Sequence, residues 1–133
     1  MKKFGRGLTA FFAVSMLASG AAFAQPANDE ATLKALMEQG EVVYADYCSA
    51  CHGENGEGGG GPQLAGNGFV KGRAAVINQV LFGATDHGMP PFAPVLTDEE
   101  VAAVSTYIRN VWGNEAGIVL PRSVELRRPA AAQ

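Results

Sequence analysis

Cys48-Ser49-Ala50-Cys51-His52 is the stretch from which the rest of the chain can be read. A Cys-x-x-Cys-His run is the attachment pattern of a c-type haem. Two thiols two residues apart can each add to one porphyrin vinyl group, and the next residue, a histidine, can then give an imidazole nitrogen to the iron. One turn of chain supplies all three bonds. Cys48 and Cys51 are the only cysteines, so the chain has attachment points for one haem. Three blander readings share the motif. A thioredoxin-like couple should sit near a βαβ pattern, and no alternation of strand and helix signals is visible. A zinc site needs about two more Cys or His ligands, and the only other histidine is His87. A plain disulfide suits any exported chain.

The N-terminus favours the haem reading. Lys2, Lys3 and Arg6 precede an apolar run from Leu8 to Leu17, and Ala22-Phe23-Ala24 has the small residues of a cleavage site. Residues 1–24 therefore read as a secretory signal peptide. The competing reading is a retained anchor, because the uncharged run from Gly7 to Ala24 is nearly long enough to span a bilayer. The Ala-x-Ala end and Gly20 favour cleavage. Export places the chain in the periplasm, where thioether attachment takes place, with membrane association only through a retained signal or a membrane-bound partner. The chain after Ala24 holds seven Lys and Arg against thirteen Asp and Glu, a formal balance of −6. Nucleic acids and anionic lipids ask for a basic face, so neither is expected as a partner. The length suits one domain, and a covalent prosthetic group would supply core that a chain this short lacks.

Residues 25–32 are polar and read as a flexible N-terminus. From Leu33, apolar residues at Leu36, Met37, Val43, Tyr44 and Tyr47 keep helical spacing into Cys48. Gly40 interrupts that helix at a cost of about 1 kcal/mol relative to alanine. Residues 53–72 hold nine of the seventeen glycines and read as an ordered loop over one haem face. The next helix spans Arg73–Phe82, with Val76, Ile77, Val80 and Leu81 on one face and Gly83 as its stop. Prolines at 90, 91 and 94 exclude helix from the segment around Met89. Thr97 and Glu100 form a capping box for the last core helix. Its apolar stripe is Val101, Val104, Tyr107, Ile108 and Val111, with Gly113-Asn114 as its end. The domain is thus expected over 33–114. Residues 115–133 form a C-terminal tail with a single helical turn near Ser123–Arg128 and a solvated Arg122, Arg127, Arg128 cluster. In that tail, Ile118-Val119-Leu120 is an apolar triplet that packs back on the domain or against a partner.

An iron held by His52 needs a ligand on its other side, and beyond the signal segment the candidates are Met37, Met89 and His87. Met37 lies on the first helix among apolar neighbours and reads as core. Met89 sits in a proline-stiffened loop and is the preferred ligand over His87. Methionine–histidine ligation raises the reduction potential.

The order of helix, Cys-x-x-Cys-His, glycine-rich loop with a proline, methionine loop and final helix resembles a class I c-type cytochrome over residues 36–114. The resemblance implies an all-α cytochrome c fold, with about three core helices wrapped around one covalent haem and long irregular loops. It implies haem c bound through Cys48 and Cys51, with His52 and Met89 as iron ligands. It also implies that Gly40 and Tyr44 lie where the terminal helices cross, with Val104 and Tyr107 as partners, and that the Pro62 carbonyl accepts a bond from His52. Asn67 and Arg73 are its candidates for propionate contacts. More narrowly, Met89-Pro90-Pro91-Phe92, Leu96-Thr97-Asp98-Glu99-Glu100 and Tyr107-Ile108-Arg109 are similar to cytochrome domains serving periplasmic dehydrogenases, and to domains fused to nitrite reductases and oxidases. Many of those subunits carry several haems; this chain has one motif. The implied function is transfer of single electrons from a dehydrogenase to an oxidase or reductase, without catalysis by the chain itself. Two alternatives stand beside it. One is a haem subunit fixed in a larger oxidoreductase complex. The other is a peroxidase or gas sensor in which Met89 is displaceable and His87 and Asp86 supply the polar groups.

Overall fold

The computed structural model describes residues 30–130; the segment expected to be a signal peptide and most of the N-terminal segment expected to be flexible lie outside them. Helix α1 spans Glu30–Tyr47. Its first turn takes in residues 30–32, which composition alone assigned to the flexible N-terminus. Gly40, Val43 and Tyr44 are its buried residues, a three-and-four spacing that turns one face inward. A short helix α2, Ser49–His52, carries most of the motif. Helical hydrogen bonding runs on through the junction, from Cys48 N to Tyr44 O (2.9 Å) and from His52 N to Cys48 O (3.0 Å).

Helix α3 is Arg73–Phe82, with Val76, Ile77, Val80 and Leu81 buried. A turn of 3₁₀ helix, Gly68–Lys71, leads into it. Helix α4 is Asp98–Asn110 and opens with both arms of the capping box: Thr97 Oγ1 accepts from Glu100 N (3.2 Å) and Glu100 Oε2 accepts from Thr97 N (2.8 Å). Among the described residues there is no sheet, only a single bridge between Ala84 and Met89. No helix among them is long and apolar enough to cross a membrane.

The core lies around α4. The expected single apolar stripe understates it, because every residue from Val101 to Arg109 is buried. Helix α1 packs on one side, α3 and the 3₁₀ turn on another, and the chain after Asn114 covers the remainder. The α1–α4 crossing is made at Gly40, where a Cβ would come 2.2 Å from Ala103 O and 2.6 Å from Tyr107 Cβ. Tyr107 is thus the partner expected, and Ala103, which the sequence did not single out, meets Gly40 beside it. Beside the crossing, Tyr44, Tyr107 and Trp112 form a ring cluster with centroids 5.0–5.7 Å apart.

The tail is part of the same core. Ile118, Val119 and Val124 are buried, which decides in favour of the apolar triplet packing back on its own domain. Helix α5 spans Pro121–Glu125, two residues earlier than expected, with proline in its first turn, where a missing N–H costs nothing.

Candidate functional site

α1, α2, α3, α4 and the loops between them surround a cavity of about 610 Å³. Cys48, Cys51 and His52 of the sequence motif line it, and so does Met89, carried by the loop after α3. Its walls are largely apolar, among them Leu64, Val70, Val76, Val80, Phe92, Val104 and Ile108. Val104 belongs to this wall, as does Tyr44.

Each motif residue has a distinct setting. Cys48 and Cys51 are free thiols, the first half-buried and the second exposed. Burial pushes the Cys48 thiol up to about 12, with the neighbouring Cys51 adding to the effect, so it stays protonated at neutral pH. His52 is buried. Its Nδ1 donates to Pro62 O at 2.8 Å, which holds the tautomer that leaves Nε2 with a free lone pair. Gly61 lies under the ring: a Cβ there would come 2.8 Å from His52 Cε1. The glycine-rich loop is therefore an ordered wrap, with Gly58 N bonded to His52 O (2.7 Å) and Gly61 N to Cys51 O (2.8 Å). Below it, the Tyr44 hydroxyl donates to Gly53 O at 2.6 Å.

Met89 is half-buried, and its sulfur accepts from Gln79 Nε2 at 3.4 Å. Sequence reasoning passed over Gln79, although its place three residues after Val76 already put it on the α3 face that lines the cavity. His87 also lines the cavity but is exposed, whereas Met37 packs against the hydrophobic core. Asn67 lines the cavity with both ends of its amide engaged, Oδ1 by Phe69 N (2.9 Å) and Nδ2 by Gln63 O (2.7 Å). Arg73 is exposed and does not line the cavity.

The residues present fit a covalently held haem. An apolar chamber is lined by an oriented histidine, two unpaired thiols and a thioether sulfur, the donor types that haem iron and haem attachment use. The competing readings of the motif fare less well. The two thiols are unbridged, no strands flank them, and among the described residues no group of three or more His, Cys, Asp or Glu could hold an ion.

Comparison with known proteins agrees with this chemistry. The profile of the family described as "Cytochrome C oxidase, cbb3-type, subunit III" matches residues 35–108. The cbb3-type cytochrome c oxidase subunit CcoP of Azospirillum brasilense is 30% identical over 96 residues, covering 66% of this chain and 32% of that protein. The dehydrogenase subunit of the quinone alcohol dehydrogenase of Acetobacter aceti is 37% identical over 75 residues, 55% of this chain and 10% of that one. This chain thus spans about a third or less of the length of these curated relatives. Among solved structures, cytochrome cL of Methylophaga aminisulfidivorans MPT superposes with a TM-score of 0.53 at 25% identity, covering 69% of this chain and 62% of that one.

Proposed function

The chain belongs to the cytochrome c oxidase, cbb3-type, subunit III family of monohaem cytochrome c domains, and from that premise we propose that it is a periplasmic carrier of single electrons between a dehydrogenase and a terminal oxidase or reductase. One observation carries the reading: an oriented His52, the unpaired Cys48 and Cys51, and Met89 all line one apolar chamber. When bound, haem supplies a one-electron couple between ferric and ferrous iron. The chain's own residues do the rest. Cys48 and Cys51 tether the porphyrin, and His52, held by Pro62, presents Nε2. Met89 presents its sulfur from the opposite loop, held by Gln79. Leu64, Val70, Val80 and Ile108 exclude water, which favours the less charged ferrous state.

The partners follow from the relatives. CcoP is a subunit of an oxidase and the Acetobacter protein is a subunit of a dehydrogenase, the two ends of the chain of transfer proposed here. The same relatives support a second reading, a domain held permanently in a larger oxidoreductase complex. Gel filtration of the periplasmic fraction separates the two: a free carrier elutes near its own mass, and a fixed subunit with its complex. Peroxidase or gas-sensor function is disfavoured by the Gln79–Met89 contact, which holds the sulfur in place.

The test is spectroscopic. The protein matured with haem should show a sharp reduced α-band, cycle reversibly without consuming substrate, and carry the weak near-infrared band of sulfur–iron ligation. Met89→Ala should abolish that band and open the iron to carbon monoxide. An unchanged spectrum in Met89→Ala, or rapid carbon monoxide binding by the untreated reduced protein, would overturn the ligand assignment.

A further inference from the structure

The family profile ends at residue 108, yet the chain goes on to make some of its most elaborate side-chain contacts. Beyond Val111 it reverses at Trp112 and Gly113, with φ of 55° and 80°, and runs back along α4. Three polar residues of α4 hold it there. Thr106 Oγ1 accepts from Val119 N (2.9 Å) and donates to Val119 O (3.3 Å). Asn110 exchanges bonds with Gly117 in both directions. Arg109, buried and without a carboxylate partner among the described residues, donates to Ala116 O and Gly117 O on the tail, and to Val70 O (2.8 Å) and Lys71 O (3.0 Å) on the 3₁₀ turn.

The segment ends on a different element. The Arg128 side chain is only 6% exposed. Its Nε donates to Asp98 Oδ1 (2.7 Å), Nη1 to Ala93 O (2.5 Å) and Nη2 to Leu96 O (2.9 Å). Ala93 and Leu96 lie at the C-terminal foot of the loop that carries Met89, and Asp98 is the first residue of α4 behind it. That loop's own hydrogen bonds are local, Ala84 N to Met89 O (2.9 Å), Met89 N to Ala84 O (3.2 Å) and Val95 N and Leu96 N to Phe92 O (2.9 Å each), and Pro90, Pro91 and Pro94 have no N–H to add. Its ties to α3 are Phe92 N to Val80 O (3.0 Å), Ala93 N to Leu81 O (3.2 Å) and Gln79 Nε2 to Met89 Sδ (3.4 Å). A planar guanidinium with five donors in a fixed fork can bind two carbonyls and a carboxylate at once, which an ammonium cannot.

We infer that residues 111–128 are an intramolecular clamp on the methionine loop, with Arg128 a positioning residue for Met89 that acts through Ala93 and Leu96. This rests on Met89 being the distal ligand. An unclamped loop would open more often, and an outside ligand would capture the iron whenever Met89 was away. The exposed Arg122, paired with Glu125 on α5, is the internal control.

The experiment uses the full haem-loaded chain, with cyanide binding to the ferric form as the probe of loop opening. Arg128→Met should bind cyanide at least tenfold faster than the unaltered protein, Arg128→Lys should fall between them, and Arg122→Gln should match the unaltered rate. In Arg128→Met, the near-infrared band should fade on warming well below the temperature at which helical circular dichroism is lost. An unaltered cyanide rate in Arg128→Met, or loss of band and helix together, overturns the clamp. If Arg128→Met fails to mature, Arg128→Lys and Asp98→Asn are judged by the same readings. Met89→Ala separates the two ideas. A band that survives it removes the ligand assignment and the clamp with it, whereas a band that depends on Met89 but not on Arg128 removes the clamp alone.

Discussion

A single hydrogen bond, Gln79 Nε2 to Met89 Sδ, links α3 to the sulfur. With Met89 as the proposed iron ligand, a donor on that sulfur would withdraw electron density and disfavour ferric iron. Gln79→Leu keeps the shape of the side chain and removes the donor. It should lower the midpoint potential by roughly a few tens of millivolts, a fraction of the ~1 kcal/mol such a bond contributes, as measured by spectroelectrochemical titration. Tyr44 predicts a pH dependence. Burial holds its hydroxyl well above its ordinary 10.0, with Cys48, Glu57 and Tyr107 adding to the effect. The folded state therefore binds that proton more tightly than the unfolded one. The resulting stability is fully present below pH 10.0 and is lost as the pH climbs from there toward the folded value. Tyr44→Phe should lose about 1 kcal/mol at neutral pH with the bond to Gly53 O, and its stability should fall less steeply above pH 10.0. A smaller alkaline slope should persist from Tyr107, also shifted upward by burial and then by Glu41. Urea titrations from pH 8 to 11.5 would show both.

Between elements, the α1–α4 crossing sets the terms. Replacing glycine by alanine inside a helix normally gains about 1 kcal/mol. At Gly40 the new methyl would meet the Ala103 carbonyl and Tyr107, neither of which is the free end of a flexible side chain. Overpacking of this kind costs roughly 1–3 kcal/mol, so Gly40→Ala should destabilise despite its better propensity, with a lower urea midpoint and an unchanged slope. This position was legible beforehand because a glycine within a strong helical pattern demands a reason. Its neighbour Ala103 was not, because the resemblance named only Val104 and Tyr107, and spacing does not say which side of a wholly buried helix faces which neighbour.

For the molecule as a whole, the haem chamber dominates stability. Without haem, an apolar chamber of about 610 Å³ would either admit water against its walls or collapse, and each costs a substantial share of the roughly 5–15 kcal/mol that holds a domain together. The chain made without haem should therefore be largely unfolded. Circular dichroism of a Cys48→Ser, Cys51→Ser double variant should show little helix and no cooperative melting; native-like helicity with a sharp transition would mean the protein core is self-sufficient.

Short-range chemistry was readable from the residues alone. The Cys-x-x-Cys-His spacing, the Thr97–Glu100 capping box, the α3 stripe and the proline-stiffened methionine loop each depend on residues close together along the chain, and an all-helical domain with one haem motif followed from them. Contacts between residues far apart were decided only by the tertiary structure. Gln79 against Met89, Ala103 under Gly40, and Arg128 on Ala93 and Leu96 span 10, 63 and more than 30 positions. The Arg122, Arg127, Arg128 cluster makes the reason plain. Three arginines in a polar tail look alike as sequence. Burial depends on where α5 lands, and it lands so that Arg122 stays in water while Arg128 is enclosed.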